Sequence, residues 1–573
     1  MKLEKYIALI LLTLFVGYEA KAQKEEKVRK VWASGASRSV FQQNNLLLDT
    51  DTTTPKKLMS GHTLVDLAIN AKPNDQTFLH GMVRIRNDFG GFWGSGVTFD
   101  IRQLYVKGLV GEAVRYQLGD MNYKLTPFTF YSNNEELSSH QSAGLSIFRD
   151  MVRYDMFYDE DNTWRQQGAA VDFALEFEKG IDELEVNVFS SRNRASDFAQ
   201  QNDRVFFGGN MTLKQSDLFS LGVNYIDLMD LAGTSKSKNE FHNPVVTGTT
   251  KWNYSLKKYD LELNTESGVS RMYELNTAKE ELKDFFLDME LSGKHKKTGT
   301  TVRFGYTNVG PQFRSVGAQS KRLNFEALNL MYSRYENGQL PRAISQMDVY
   351  QDASLYQLRL DPQLQAFSPA YDNVMPYGKA TPNRKGFNLE VKRESKNEFY
   401  EIVLGGKILS EIVGQGGDDL RNFNTLDGEL SLRFDKLMVN RKKPLELSLG
   451  YTSSRTERTT SFTEANVDLK SAMLDLGLKV GLSSDFELLA NYRSITAQGN
   501  ELLSVRNLNT EVVDFEAYST DLVESLVLIG LRYNFSKKNR LDIVWQKMNW
   551  EDKKSGNKDY GINQFAIAYN LKF

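Results

Sequence analysis

Residues 560–573 read YGINQFAIAYNLKF and alternate almost without error. Phe565, Ile567, Tyr569, Leu571 and Phe573 share one face, while Gln564, Ala566, Ala568, Asn570 and Lys572 share the other. A period of two is the signature of a β-strand whose faces meet different surroundings. Here one surrounding is hydrocarbon and the other is water or polar packing, and an aromatic residue ends the strand. The segment reads as the closing strand of a membrane β-barrel.

The same grammar repeats upstream. Val527, Ile529, Leu531, Tyr533 and Phe535 stand against Gly530, Arg532 and Asn534, and Leu474, Leu476, Leu478 and Val480 against Asp475, Gly477 and Lys479. Phe285, Leu287, Met289 and Leu291 form another set. Val171, Phe173, Leu175 and Phe177 lead through Lys179-Gly180-Ile181-Asp182 into Leu184, Val186 and Val188. Short turns near 74–76, 179–183, 481–485 and 536–540 alternate with long polar stretches at 42–61, 123–164, 229–246, 310–385 and 495–522. Short periplasmic turns, long outer loops and both chain ends on the periplasmic side are the connection pattern of an outer-membrane barrel. The expected fold is all-β: a transmembrane antiparallel barrel of about 22 strands, with 18–22 compatible with the pattern. A β-helix or propeller requires a repeat of fixed period, and the sequence has none.

Composition agrees. The 573 residues carry 71 Lys and Arg against 73 Asp and Glu, which gives no basic footprint for nucleic acid. A mean hydropathy of −0.46 suits a barrel, because every second strand residue faces the lumen. At the amino-terminus, Lys2 and Lys5 precede an apolar run from Tyr6 to Tyr18, and Ala20-Lys21-Ala22 supplies small residues before Gln23. Residues 1–22 are expected to be a signal peptide and residues 23–573 the barrel. With no cysteine in the chain, a lipoprotein anchor, a thiolate metal site and a disulfide framework are excluded.

The Ala20-Lys21-Ala22 site, the alternating strands and the ending Phe565 to Phe573 resemble outer-membrane β-barrel proteins of Gram-negative, Bacteroidota-like bacteria. The resemblance is to the class and singles out no family. It implies residence in the cell outer membrane, in contact with its lipid. In size the chain is similar to the barrel of TonB-dependent transporters, but strands begin by about residue 62, leaving no room for the globular plug those proteins carry before the barrel.

Parity assigns the lumen. Arg84, Arg86, Arg102 and Arg115 are expected inward, with a bulge in residues 99–108 bearing on Arg102. The corresponding inward carboxylates are Asp172, Glu176, Glu178, Glu185, Asp288 and Glu290. Opposed basic and acidic walls set a transverse field that selects charged solutes; alternatively, these charges pair with one another or with an inserted loop. The segment 310–385 holds six of the eleven prolines and reads as a lid or constriction. Its Tyr332, Tyr335, Tyr350 and Tyr356 are candidate recognition residues toward proteins or glycans of the envelope. The acidic run Tyr158-Asp159-Glu160-Asp161-Asn162 lacks the glycine turn and distal glutamate of a calcium loop and reads as solvated. Five histidines, none sharing a face with a nucleophile, give no enzyme signature, and no metal or other cofactor is implied. Two readings follow. One is a passive or gated channel for polar or charged solutes; the other is a scaffold or accessory subunit with a filled lumen. Neither fixes an oligomeric state.

Overall fold

The computed structural model describes residues 30–48, 57–89, 96–111, 113–132, 137, 140–157, 164–325, 327, 342–438, 443–507, 511–556 and 559–573. The signal-peptide segment, the acidic run 158–162, and Tyr332 and Tyr335 lie outside them. Twenty-two strands, from β1 (Val31–Leu48) to β22 (Tyr560–Lys572), form one antiparallel sheet among the described residues. β1 pairs with β22 from Ala36↔Lys572 to Leu48↔Tyr560 and closes the sheet into a barrel. The closure reaches the last residue: Gly35 and Phe573 exchange both backbone hydrogen bonds at 3.0 Å. Closure removes the free strand edges that hydrocarbon cannot solvate.

The outer surface is apolar. Ile529, Phe535, Trp545, Phe565, Phe304, Phe387, Leu404 and Ile408 are all exposed, whereas the alternate residues Leu526, Leu528, Val544 and Ala566 are buried. Exposed apolar side chains around a closed sheet are the reverse of a water-soluble protein and the signature of a lipid-facing wall. No helix among the described residues is long and apolar enough to cross a membrane; the strands do so.

Several strands run further than their alternation announces. The hairpin β19 (Phe486–Arg506) and β20 (Val512–Ser536) stays paired from Phe486↔Tyr533 to Arg506↔Val512. Most of the 495–522 stretch expected as a connection is therefore strand. β1 and β2 (Lys57–Asn74) likewise occupy much of 42–61. Beyond the bilayer both faces of a hairpin meet water, so the ladder persists while the two-residue pattern fades. At the other end the turns are tight: Gly180 sits at φ +85° between β6 (Trp164–Glu176) and β7 (Glu183–Arg194), a backbone state that disfavours side chains.

The largest departure is inside. The described residues of two inserted segments fold back into the lumen from the long-connection end. Residues 124–163 follow β5 (Val114–Tyr123) and carry the helix Ser146–Phe157. Residues 310–383 join β13 (Thr301–Val309) to β14 (Arg384–Glu394) and carry the short helices Val316–Gln319, Gln346–Gln351 and Pro369–Asp372. Each meets an apolar patch of the inner wall. Leu145, Ile147, Phe148 and Met347 pack with Leu526, Leu528, Val544, Met548 and Ile562. Phe128, Phe130, Phe313 and Val316 pack with Phe189, Phe206, Ile226 and Phe286. The stack of Phe128 on Phe286, with centroids 4.0 Å apart, joins loop to wall directly. A uniformly polar interior was expected; the wall is apolar wherever a segment is seated on it, because burial there drives the seating.

Candidate functional site

Of the arginines placed inward by parity, two hold the inserted helix and two pair with carboxylates of the strands. Arg84, on β3 (Thr77–Asp88), grips Asp66 of β2 through two bonds of 2.7 Å and reaches Asp155 of the inserted helix at 3.2 Å. On β4 (Val97–Val110) the register passes from Met82↔Gln103 to Val83↔Ile101, so Arg102 is the extra residue of a β-bulge. The bulge delivers its guanidinium 4.3 Å from the Tyr154 ring centroid and 3.6 Å from Asp66, and it donates to the Tyr154 carbonyl. Tyr154 closes the cluster by donating to Asp66 at 2.6 Å. Burial, helped by Asp66, pushes the Tyr154 hydroxyl up to about 12. Arg86 pairs with Asp88 at 2.9 Å, and Arg115 pairs with its cross-strand neighbour Asp172. The four arginines therefore do not stand as one free basic wall: each meets a carboxylate, two of them beside the inserted helix.

The expected carboxylates divide. Glu176, Glu178 and Glu185 are exposed around the short turn joining β6 and β7, at the short-turn end of the barrel. Asp288 and Glu290, on β12 (Leu282–His295), face a cation the sequence did not bring to notice: Lys379 of the second segment, 3.2 Å from Asp288 and 3.3 Å from Glu290. Burial alone lowers the Lys379 ammonium, but the two carboxylates outweigh it and hold it above its ordinary value.

Of the tyrosines, Tyr350 and Tyr356 are buried within the lumen packing instead of forming an outward recognition surface. Tyr350 meets Arg493 of β19, and Tyr356 donates to the Val349 carbonyl at 2.6 Å. A ring that is amphipathic packs inward when the wall offers both an apolar bed and a polar partner. The stretch 123–164 reads in sequence as a long polar connection; its Tyr154 and Asp155 complete the anchor in the lumen.

Below the seated segments lies a cavity of about 580 Å³, within the size range of small-molecule sites. One side is the inner wall of β12 to β18 (Val467–Gly481), and the other is residues 370–379 of the second segment. Its lining carries six carboxylates, Asp288, Glu290, Asp372, Glu390, Asp427 and Glu429, against four cations, Arg303, Lys321, Lys379 and Lys407. Arg303 and Glu390 pair across β13 and β14 at 2.5 Å. The space exists because the wall side chains are small here: Gly405, Thr425, Thr452, Ser454 and Ser471 stand where bulkier residues meet the segments elsewhere. Lys407 and Asp427 were absent from the sequence expectations. The exposed neighbours Leu404, Ile408 and Leu426 fix their inward parity and supply the signal that finds them.

No family model matches the chain, and no curated protein matches it. The barrel is similar to solved outer-membrane proteins. These include OccK11 (OpdR) of Pseudomonas aeruginosa, at 11% identity and TM-score 0.35 over 97% of this chain and 99% of that one. OpdK of the same organism gives 10% and 0.36 over 95% and 99%, and the copper transporter OprC gives 10% and 0.45 over 96% and 82%. At such identities and TM-scores the likeness carries no argument about solutes.

Proposed function

We propose that this outer-membrane barrel is a gated channel for small charged solutes. In this reading the two inserted segments are its closure and the charged cavity is part of its path. The supporting observation is the cavity itself: a wide, water-compatible space with more carboxylates than cations, beside seated segments held by apolar clusters and buried ion pairs. Fixed charges in a low-dielectric tube set the local counter-ion concentration, so the acidic excess favours cations over anions. Opening requires a segment to leave its apolar seat, which places the gate in the packing and not in the strands.

Purified protein in planar bilayers under a KCl gradient tests this. Discrete conductance steps with a cation-selective reversal potential support the channel. Absence of any conducting state, in the full chain and in a variant lacking residues 310–383, contradicts it. A second reading is favoured by one observation, the depth of the packing: Ile147 and Phe148, buried among Leu526 and Leu528, describe a segment seated permanently. The barrel is then an envelope scaffold or accessory subunit, and a stoichiometric partner protein cross-linked in intact cells is its evidence.

A further inference from the structure

Most charges lining the cavity are compensated. Lys379 serves Asp288 and Glu290, Arg303 serves Glu390, Lys321 donates to Asp372 at 3.3 Å, and Glu429 lies 4.0 Å from His140. Lys407, on β15 (Tyr400–Ser410), and Asp427, on β16 (Asn422–Arg433), are different: among the described residues neither has an ion pair or a side-chain hydrogen bond. Both are half-buried and both line the cavity. A half-buried charge is paired or wet, and here two opposite charges share one wet space without meeting.

Their spacing is set by the ladder. Lys407 stands across from Thr425, and Gly405 stands across from Asp427, so the two charged residues form a diagonal pair. The backbones of diagonal neighbours in an antiparallel sheet are about 7–8 Å apart, so both side chains open onto the same stretch of the cavity. Gly405, directly across from Asp427, adds no side chain to the space beside its carboxylate; a Cβ there would lie 3.8 Å from Oδ2 of Asp427, in ordinary contact. The hydroxyl of Thr425, directly across from Lys407, is buried without a hydrogen-bond partner among the described residues. A carboxylate held at Lys407 supplies the acceptor that this hydroxyl lacks.

We propose that this corner of the cavity binds a small zwitterionic solute. Its carboxylate sits on Lys407 and Thr425, and its ammonium sits on Asp427. The inference names the solute class for the channel proposed above and rests on that reading for its biological use, but binding is measured apart from conduction.

The test is calorimetric titration of the purified full chain in detergent micelles with three probes. These are L-alanyl-L-alanine, its N-acetyl derivative, which lacks the ammonium, and its carboxamide, which lacks the carboxylate. Removing one charge-assisted hydrogen bond from a partly desolvated site costs about tenfold or more in affinity, so the zwitterion binds at least about tenfold tighter than either derivative. Lys407→Met abolishes the discrimination against the carboxamide, and Asp427→Asn abolishes the discrimination against the N-acetyl form. No binding, equal binding of the three probes to the unaltered protein, or preferences unmoved by both substitutions overturns the inference. Conduction without zwitterion binding removes this site and leaves the channel. Zwitterion binding without conduction removes the channel and leaves the site.

Discussion

Arg493 of the barrel wall and Tyr350 of the second inserted segment meet in the lumen, the guanidinium donating to the hydroxyl with its carbon 5.2 Å from the ring centroid. The same guanidinium grips Asp475 of β18, and the Arg493 and Asp475 side chains are 0% exposed. One buried ion pair thus holds a loop to two strands. A second network repeats the design: Arg342 bonds Asp348 twice at 2.7 Å and donates to the Tyr560 hydroxyl at 3.0 Å, while Glu524 of β20 accepts from Tyr371 and from the Gln346 backbone.

Removing one partner of a buried pair leaves the other charge uncompensated, at a cost of about 3–5 kcal/mol. Arg493→Met is expected to lower the thermal midpoint of the seated segment in micelles and to raise open-state conductance. The double substitution Asp475→Asn with Arg493→Met reverses part of both changes, because no orphan charge remains. Circular dichroism melts and bilayer recordings of the three proteins check the order.

The apolar seats give a separate prediction. Phe286 faces the lumen and touches Phe128 and Phe313, with centroids 4.0 and 5.1 Å away. In a water-filled lumen its truncation is nearly neutral; in this one Phe286→Ala costs about 3–5 kcal/mol. Denaturant or thermal unfolding of the purified variant distinguishes the two.

The outer face behaves by lipid rules. Ile567, near the middle of β22, points outward, and Ile567→Arg is expected to cost about 2–4 kcal/mol in the bilayer. Asn570→Asp, on the lumenal face of the same strand, has a smaller effect. Unfolding by urea from lipid vesicles measures both.

Alkali is expected to loosen the second segment. Burial raises the hydroxyls of Tyr350, Tyr371 and Tyr377, with Glu524 adding to the rise at Tyr371. Above about pH 10 a released tyrosine loses its proton while a seated one keeps it. The seated form then binds more protons, so its stability falls as pH rises through that range. Lys321 and Arg314 oppose this: burial lowers both cations, so seating gains there as pH rises toward their ordinary values. Lys379, held above its ordinary value by Asp288 and Glu290, acts with the tyrosines, and the three hydroxyls with that ammonium outnumber the two opposing cations. Conductance is expected to rise above about pH 10, and to lose that rise when all three tyrosines are changed to phenylalanine.

The barrel was legible because lipid on one side and a different environment on the other impose a period of two, as Phe565 to Phe573 shows. The filled lumen was less so, and the reason lies in particular residues. Along Leu526-Val527-Leu528-Ile529, both parities are apolar: Val527 and Ile529 meet lipid while Leu526 and Leu528 meet Ile147 and Phe148. A run apolar on both faces is the trace an inserted segment leaves on a barrel strand, and reading only its outer half concealed it. The pairings of Arg84 and Arg102 with the inserted helix were hidden differently, since contacts between residues 52 or more positions apart leave no local pattern.

The central claim is that the inserted segments are movable closures, and the absence of native cysteine allows a clean lock. A Cβ on Gly144, in the first segment, would lie 3.4 Å from Cβ of Asn491 on β19, close to disulfide spacing. Bilayer conductance of Gly144→Cys with Asn491→Cys, before and after reduction, is the direct measurement. The account predicts a closed oxidised protein whose conductance steps return on adding dithiothreitol. Equal conductance in both redox states, with the disulfide verified as formed, contradicts it.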